Sequence, residues 1–231
     1  MSGTPIPYSI GQDNLILSLF IASLLGGAYV LLRDGASIVE RLKKMFYYKG
    51  QAVPYNSRAG ISTAGNNILY LLLILYSTII IFGYLQQCDK LHTLKSPYIS
   101  FTVFATISAL FFAIKGIAYE FINNVLFSRE QAREWRESYF FTLQLTSFAL
   151  LPLVTAVILV PSLNNIIFNG YIIIIGIIYL TMSFIRCFNI IFNEKSYFLD
   201  IFLYLCAIEL LPLCLMWQVI HQTYLFLIIK F

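Results

Sequence analysis

The amino-acid sequence predicts an all-α fold: a polytopic membrane helix bundle of six transmembrane helices, with a tandem two-helix repeat and one interfacial helix. Of the 231 residues, 59% are hydrophobic and only 11% are charged, whereas about a quarter of the residues in a soluble domain are charged. The mean hydropathy of +0.80 indicates the same class. Six apolar runs, each near the ~20 residues that a membrane helix needs, alternate with loops that carry most of the charges.

The predicted spans make the chain a single membrane domain over residues 1–231. They cover residues 14–32, 67–86, 98–122, 139–160, 169–190 and 198–220. We expect the first span to be retained, because it has neither the basic segment nor the cleavage site of a signal peptide. The short apolar tail after the last span is expected either to extend the sixth helix or to lie in the membrane interface.

The segment 128–138, between the third and fourth spans, is rich in arginine and glutamate. Its charges recur at helical spacing, so we expect it to extend the third helix into solvent. Its three arginines are balanced by three glutamates, and a balanced segment repels phosphate as much as it attracts it. The sequence therefore indicates no nucleic-acid partner.

The basic residues predict the orientation. Ten of the fifteen lie in the loops that join helices one and two, three and four, and five and six, whereas three lie on the opposite side. Positively charged loops remain in the cytoplasm. Both termini are therefore expected outside the cytoplasm.

The first cytoplasmic segment begins with an amphipathic pattern over residues 36–48. Ile38, Leu42 and Phe46 recur at helical spacing, and basic residues occupy the other side. Such a helix lies along the membrane surface, with its basic side against anionic headgroups. Docking to a partner protein is the alternative for this segment.

Two pairs of short motifs occur in the same order in the second half of the chain. The sequence NVLFSRE precedes LLPL at 150–153, and the similar NIIFNEK precedes LLPL at 210–213. The order predicts that helices three and four form one hairpin, and that helices five and six form a second copy related by an axis near the membrane normal. A chance match between apolar segments is the alternative.

Pro152 and Pro212 lie inside the two LLPL motifs. A proline within a helix removes a backbone donor and frees the carbonyl four residues before it. A freed carbonyl in lipid needs protein or water beside it. Both residues are therefore predicted to kink their helices and to face the bundle interior.

Glu209 directly precedes the second LLPL motif, about 16 Å into the sixth predicted helix. A charge at such depth faces a partner or a wet cavity. Lys115 in helix three is the predicted partner, with Arg186 in helix five as the competitor. For both cations, extension to the cytoplasmic headgroups is the alternative.

No catalytic residue, metal site or cofactor is predicted. The two histidines fall near the outer side, and the four cysteines form no metal-binding pattern. The sequence also has no phosphate-binding loop and no hydrolase motif.

The segment FLYLCAIELLPL, residues 202–213, resembles the characteristic segment of a bacterial inner-membrane family, domain of unknown function four-two-seven-one. Lys115, Arg186 and the first LLPL motif also match it. The resemblance covers nearly the whole chain and is strongest from residue 100 onward. It implies a polytopic protein of the bacterial inner (cytoplasmic) membrane and carries no established activity.

Three classes of function remain, and the lipid bilayer is the environment in each. The first is a non-catalytic subunit or assembly factor of a membrane complex, with a membrane-protein partner. The second is a small transporter or proton-coupled component that uses Glu209 and works as a homo-oligomer. An intramembrane enzyme is disfavoured, because no nucleophile or metal constellation is present. A dry, paired Glu209 favours the first class, and a polar path from Glu209 to both surfaces favours the second.

Overall fold

The computed structural model of the protein describes residues 10–46, 62–87, 97–126, 129–160, 165–191 and 209–230. These residues form a short 3-10 helix, Ile10–Gln12, and six α-helices: α1 (Asn14–Phe46), α2 (Thr63–Gln87), α3 (Pro97–Leu126), α4 (Arg129–Leu159), α5 (Asn165–Ile191) and α6 (Leu211–Lys230). No strand occurs in this part of the chain. The predicted all-α class is confirmed for the described residues.

Five of the described helices, α1 to α5, are long and apolar enough to cross a membrane. They identify a multi-pass membrane protein, and each overlaps one of the first five predicted spans. The sixth span, 198–220, is not established, because residues 198–208 lie outside the described residues and α6 is not among the five. The apolar tail extends the last helix, which continues to Lys230.

The first helix differs from the prediction of a span followed by a separate surface helix. It runs without a break for 33 residues, a length of about 50 Å, whereas the hydrocarbon core of a bilayer is ~30 Å thick. No proline interrupts it. The buried carboxylate of Asp34 accepts hydrogen bonds from the backbone N–H of Ser62 (3.3 Å) and from its hydroxyl (2.7 Å). This contact fastens α1 to the start of α2 at the point where the sequence predicts a break.

The centre of the protein lies where α2 packs against α4. These two helices share the most extensive contact, and α3, α5 and α1 pack around them. A Cβ atom added at Gly83 of α2 would lie 2.8 Å from Cγ1 of Val157 on α4, so the two helices meet at the glycine backbone. Phe82 makes edge-to-face contacts with Phe101 and Phe104 of α3, with ring centroids 5.4 and 5.9 Å apart. Small and aromatic side chains therefore interdigitate at this centre.

The predicted tandem repeat is not borne out by the described residues. Helices α3 and α4 pack against each other as a hairpin does, whereas the most extensive contact of the described part of α6 is with α3. Pro152 is exposed on the outside of α4 and Pro212 is half-buried, so the expectation that both face inward fails for Pro152.

The turn of α4 that precedes Pro152 receives a hydrogen bond from a neighbouring helix. The hydroxyl of Tyr171 on α5 donates to the carbonyl of Ala149, three residues before Pro152, over 3.1 Å. A proline ring crowds the preceding turn and frees the carbonyl of Phe148, and Tyr171 supplies a donor to the next carbonyl of the same turn. The structure also assigns the charged segment from Arg129 to the beginning of α4, and not to the end of α3 as predicted.

Candidate functional site: a buried carboxylate with four donors

Two helices each present a pair of polar side chains one turn apart. Lys115 and Tyr119 occupy positions i and i+4 on α3, and Tyr179 and Ser183 do so on α5. Residues at this spacing lie on the same face of a helix. Both faces are directed inward, since Lys115, Tyr119 and Ser183 are buried and Tyr179 is half-buried.

The carboxylate comes from a third element. Glu209 and Leu210 are π-helical residues directly before α6, with Pro212 as the second residue of that helix. Pro212 has no backbone N–H to donate, so one regular hydrogen bond is missing here, and the π-helical geometry lies directly before this residue's helix. In this turn Glu209 is buried, whereas Leu210 and Leu211 are exposed.

All four polar side chains donate to the carboxylate of Glu209. Oε2 accepts from Lys115 Nζ at 2.6 Å and from the hydroxyl of Tyr179 at 2.7 Å. Oε1 accepts from Ser183 Oγ at 3.1 Å and from the hydroxyl of Tyr119. We call these four side chains the donor cradle: Lys115, Tyr119, Tyr179 and Ser183.

The donor cradle has contacts of its own besides those to Glu209. Lys115 Nζ lies 3.0 Å from the hydroxyl of Tyr179, which accepts from lysine while it donates to glutamate. The same nitrogen lies 5.1 Å from the centroid of the Tyr179 ring, within the range of a cation–π interaction. Tyr119 packs against Tyr139 of α4, with ring centroids 4.1 Å apart. The cradle thus connects α3, α4 and α5.

The ion pair is shielded from its surroundings. The side chains of Lys115 and Glu209 are only 3% and 1% exposed. An ionised carboxylate accepts hydrogen bonds at about four lone-pair positions, and the donor cradle supplies four donors. Isolated charges at this depth would be costly, but a paired and fully hydrogen-bonded set offsets much of that cost. The arrangement suits an ionised glutamate facing a protonated lysine.

Of the two cations predicted to pair with Glu209, the structure describes the side chain of only one. It brings Lys115 and Glu209 into direct contact, whereas the side chain of Arg186 lies outside the described residues. Ser183 of α5 also donates to the carboxylate of Glu209. Gln144 instead donates to Asn66 of α2 at 2.7 Å, and Thr181 bonds to the backbone of its own helix.

Sequence reasoning missed the two tyrosines of the donor cradle. Tyr119 follows Lys115 by one helical turn, and Tyr179 precedes Ser183 by one turn. Tyr119 could have been identified from its i, i+4 spacing to Lys115, the predicted intramembrane charge. No comparable signal existed for Tyr179, because its approach to Lys115 depends on how α5 packs.

The chemistry that this site supports is charge pairing. Among the described residues, no group of three or more histidine, cysteine, aspartate or glutamate side chains is arranged to hold a metal ion. The carboxylate is covered by its own donors, so a substrate would have to displace at least one of them. The geometry is that of a joint between helices.

Comparison with known proteins bears on the whole chain. A family model described as a domain of unknown function (DUF4271) matches residues 15–220, a stretch that includes every member of the donor cradle and Glu209. No curated protein and no solved structure gives a match. Because the family model spans most of the sequence, the chain belongs to the DUF4271 family.

Proposed function

We propose that the protein is a non-catalytic subunit or assembly factor of a membrane complex, in which the Lys115–Glu209 pair is a fixed structural joint. The observation that carries the proposal is the state of Glu209, which is 1% exposed and accepts from four donors. A joint of this kind sets the relative positions of α3, α5 and the start of α6. It shapes a membrane surface without taking part in a reaction.

A small transporter or proton-coupled component is the competing function. A transported proton or ion has to reach and leave its carrier, and carriers of this kind border a wet pathway. Around Glu209 the described side chains are hydroxyl and ammonium donors that already point at the carboxylate. This arrangement supports the structural role over transport.

We further propose that the protein lies in the bacterial inner membrane with six spans and both termini outside the cytoplasm. The ten-to-three distribution of loop basic residues supports this orientation. In a chain whose native cysteines are replaced by serine, cysteines introduced at Ser2 and Asn165 should react with an impermeant reagent applied to intact cells. A cysteine at Lys43 should react only after the membrane is opened. Labelling of Lys43→Cys in intact cells would contradict the orientation.

Co-purification tests the proposed role directly. The tagged protein, expressed at its natural level and extracted in a mild detergent, should retain a second membrane protein in a constant ratio. An unrelated polytopic protein of similar size with the same tag is the control, because it reports nonspecific capture. Recovery of copies of this chain alone, combined with proton-dependent or ion-dependent flux in vesicles, would overturn the subunit role in favour of transport.

A further inference from the structure

We propose that the donor cradle is a carboxylate-binding site, which Glu209 fills from within the chain and which accepts a small free carboxylate once the Glu209 side chain is removed. The four donors all belong to α3 and α5, whereas the acceptor belongs to a separate element, the π-helical turn before α6. The arrangement therefore divides into a receptor and a tethered ligand. This inference builds on the proposed structural role of the pair and adds a ligand class to it.

Contacts within the receptor part support a site that persists without Glu209. The 3.0 Å bond between Lys115 Nζ and the Tyr179 hydroxyl joins α3 to α5 without involving glutamate. The ring of Tyr119 is held against Tyr139, and Ser183 is fixed on the same helix as Tyr179. Donors that are positioned before the ligand arrives lower the ordering cost of binding.

The chemistry of the four donors selects a carboxylate. One ammonium and three hydroxyl groups converge on two oxygen atoms, two donors on each. An ammonium provides the charge, and hydrogen bonds to a charged acceptor are stronger than those between neutral groups. A neutral amide of the same size would place its N–H groups against two of these donors, and two donors cannot form a hydrogen bond with each other. An amide should therefore bind poorly.

Acetate is the matched probe. The substitution Glu209→Ala removes one methylene carbon and the carboxyl group, and acetate supplies a methyl carbon and a carboxylate of the same size. Thermal unfolding of the purified Glu209→Ala protein in detergent should shift upward as acetate replaces chloride at constant ionic strength and pH. The shift should grow with the logarithm of the acetate concentration once the site begins to fill, as ligand linkage requires.

Three controls separate binding from a general salt effect. The wild-type protein should show a much smaller shift, because Glu209 already occupies the donor cradle. The double variant Glu209→Ala/Lys115→Met should lose the shift, because the charged donor is gone. Acetamide should give none. Equal shifts in the single and double variants, or no shift in the single variant, would overturn the proposal.

A second measurement applies if Glu209→Ala cannot be purified. Crude detergent extracts prepared in acetate and in chloride are compared by size-exclusion chromatography of a fluorescently tagged chain. A monodisperse peak that appears with acetate and not with chloride supports the site, and aggregation in both extracts overturns it. The outcome is separable from that of the proposed function, because rescue is measured on the isolated protein and co-purification on the complex.

Discussion

The sharpest prediction concerns coupling between Lys115 and Glu209. Glu209→Gln leaves the ammonium of Lys115 opposite a neutral amide, and Lys115→Met leaves the carboxylate without its counter-charge, in a site where both side chains are at most 3% exposed. Removing one partner of a buried pair costs about 3–5 kcal/mol, because the remaining charge is uncompensated. The double variant removes both charges together, so it should be more stable than the sum of the two single losses implies.

Thermal unfolding in detergent measures this coupling. On the scale known for soluble chains of this length, ~1 kcal/mol corresponds to about 2–4 °C in Tm, so each single substitution should lower Tm by roughly 6–20 °C. The double variant should recover at least about 1 kcal/mol relative to additivity, within the range that contacting residues show.

The chain offers its own control for this experiment. Glu120 and Arg136 form an ion pair at 3.3 Å, but their side chains are 57% and 52% exposed. An exposed pair contributes about 0–1 kcal/mol, so Glu120→Gln and Arg136→Met should change Tm little, alone or together. Strictly additive losses at Lys115 and Glu209 would refute the coupled joint. A double variant that is stable but no longer functional would indicate a working charge, as transport needs.

Three further predictions follow from named contacts and use the same thermal assay. Tyr179→Phe should destabilise the protein by about 1.5–3 kcal/mol, because it deletes a hydrogen bond to the carboxylate and leaves Lys115 with one acceptor fewer. Tyr70→Phe is the control on a half-buried ring outside the site. Equal losses of stability in the two variants would argue against the donor cradle. Gly83→Ala should destabilise the protein, because the new Cβ would lie 2.8 Å from Val157 Cγ1. The control, Gly176→Ala, places a Cβ with nothing within 4 Å and should be neutral or stabilising. A greater loss of stability in Gly176→Ala than in Gly83→Ala would exclude close packing of α2 on α4. Ser62→Ala should lower the stability by about 0.5–2 kcal/mol, because the Ser62 hydroxyl accepts from the N–H of Gly65 (3.1 Å) and donates to Asp34. The control, Ser18→Ala, removes only an exposed bond to its own helix. An equal effect of the two substitutions would show that Asp34 does not fasten α1 to α2.

Several features of the fold were accessible from sequence because they depend on composition along one helix. A chain with 11% charged residues and long apolar runs cannot build a soluble surface, so helices that span a membrane are the available solution. The five described helices that are long and apolar enough to cross a membrane overlap the predicted spans for this reason. Helix ends were less accessible. By sequence, Arg129 and the residues after it could extend α3 or begin α4. In the structure they begin α4.

The prolines illustrate a different limit. Pro152 has the sequence surroundings of an inward-facing kink, yet it is exposed. A carbonyl freed in lipid needs protein or water beside it, and this requirement predicted an inward-facing proline. In the structure the hydroxyl of Tyr171 on α5 donates to the carbonyl of Ala149, so this turn receives a donor from a neighbouring helix although Pro152 itself is exposed.

By itself, the sequence determined the membrane class and located two charges at matching depths, Lys115 and Glu209, because depth follows from counting residues along a helix. It did not determine which side chains would complete the site. Tyr119, Tyr179 and Ser183 are ordinary helix residues until α3 and α5 present them to one carboxylate. The rotation of one helix about its axis relative to another is fixed by packing between distant parts of the chain. Only the tertiary structure therefore decided that Glu209 meets four donors, and that α1 continues without a break past Asp34.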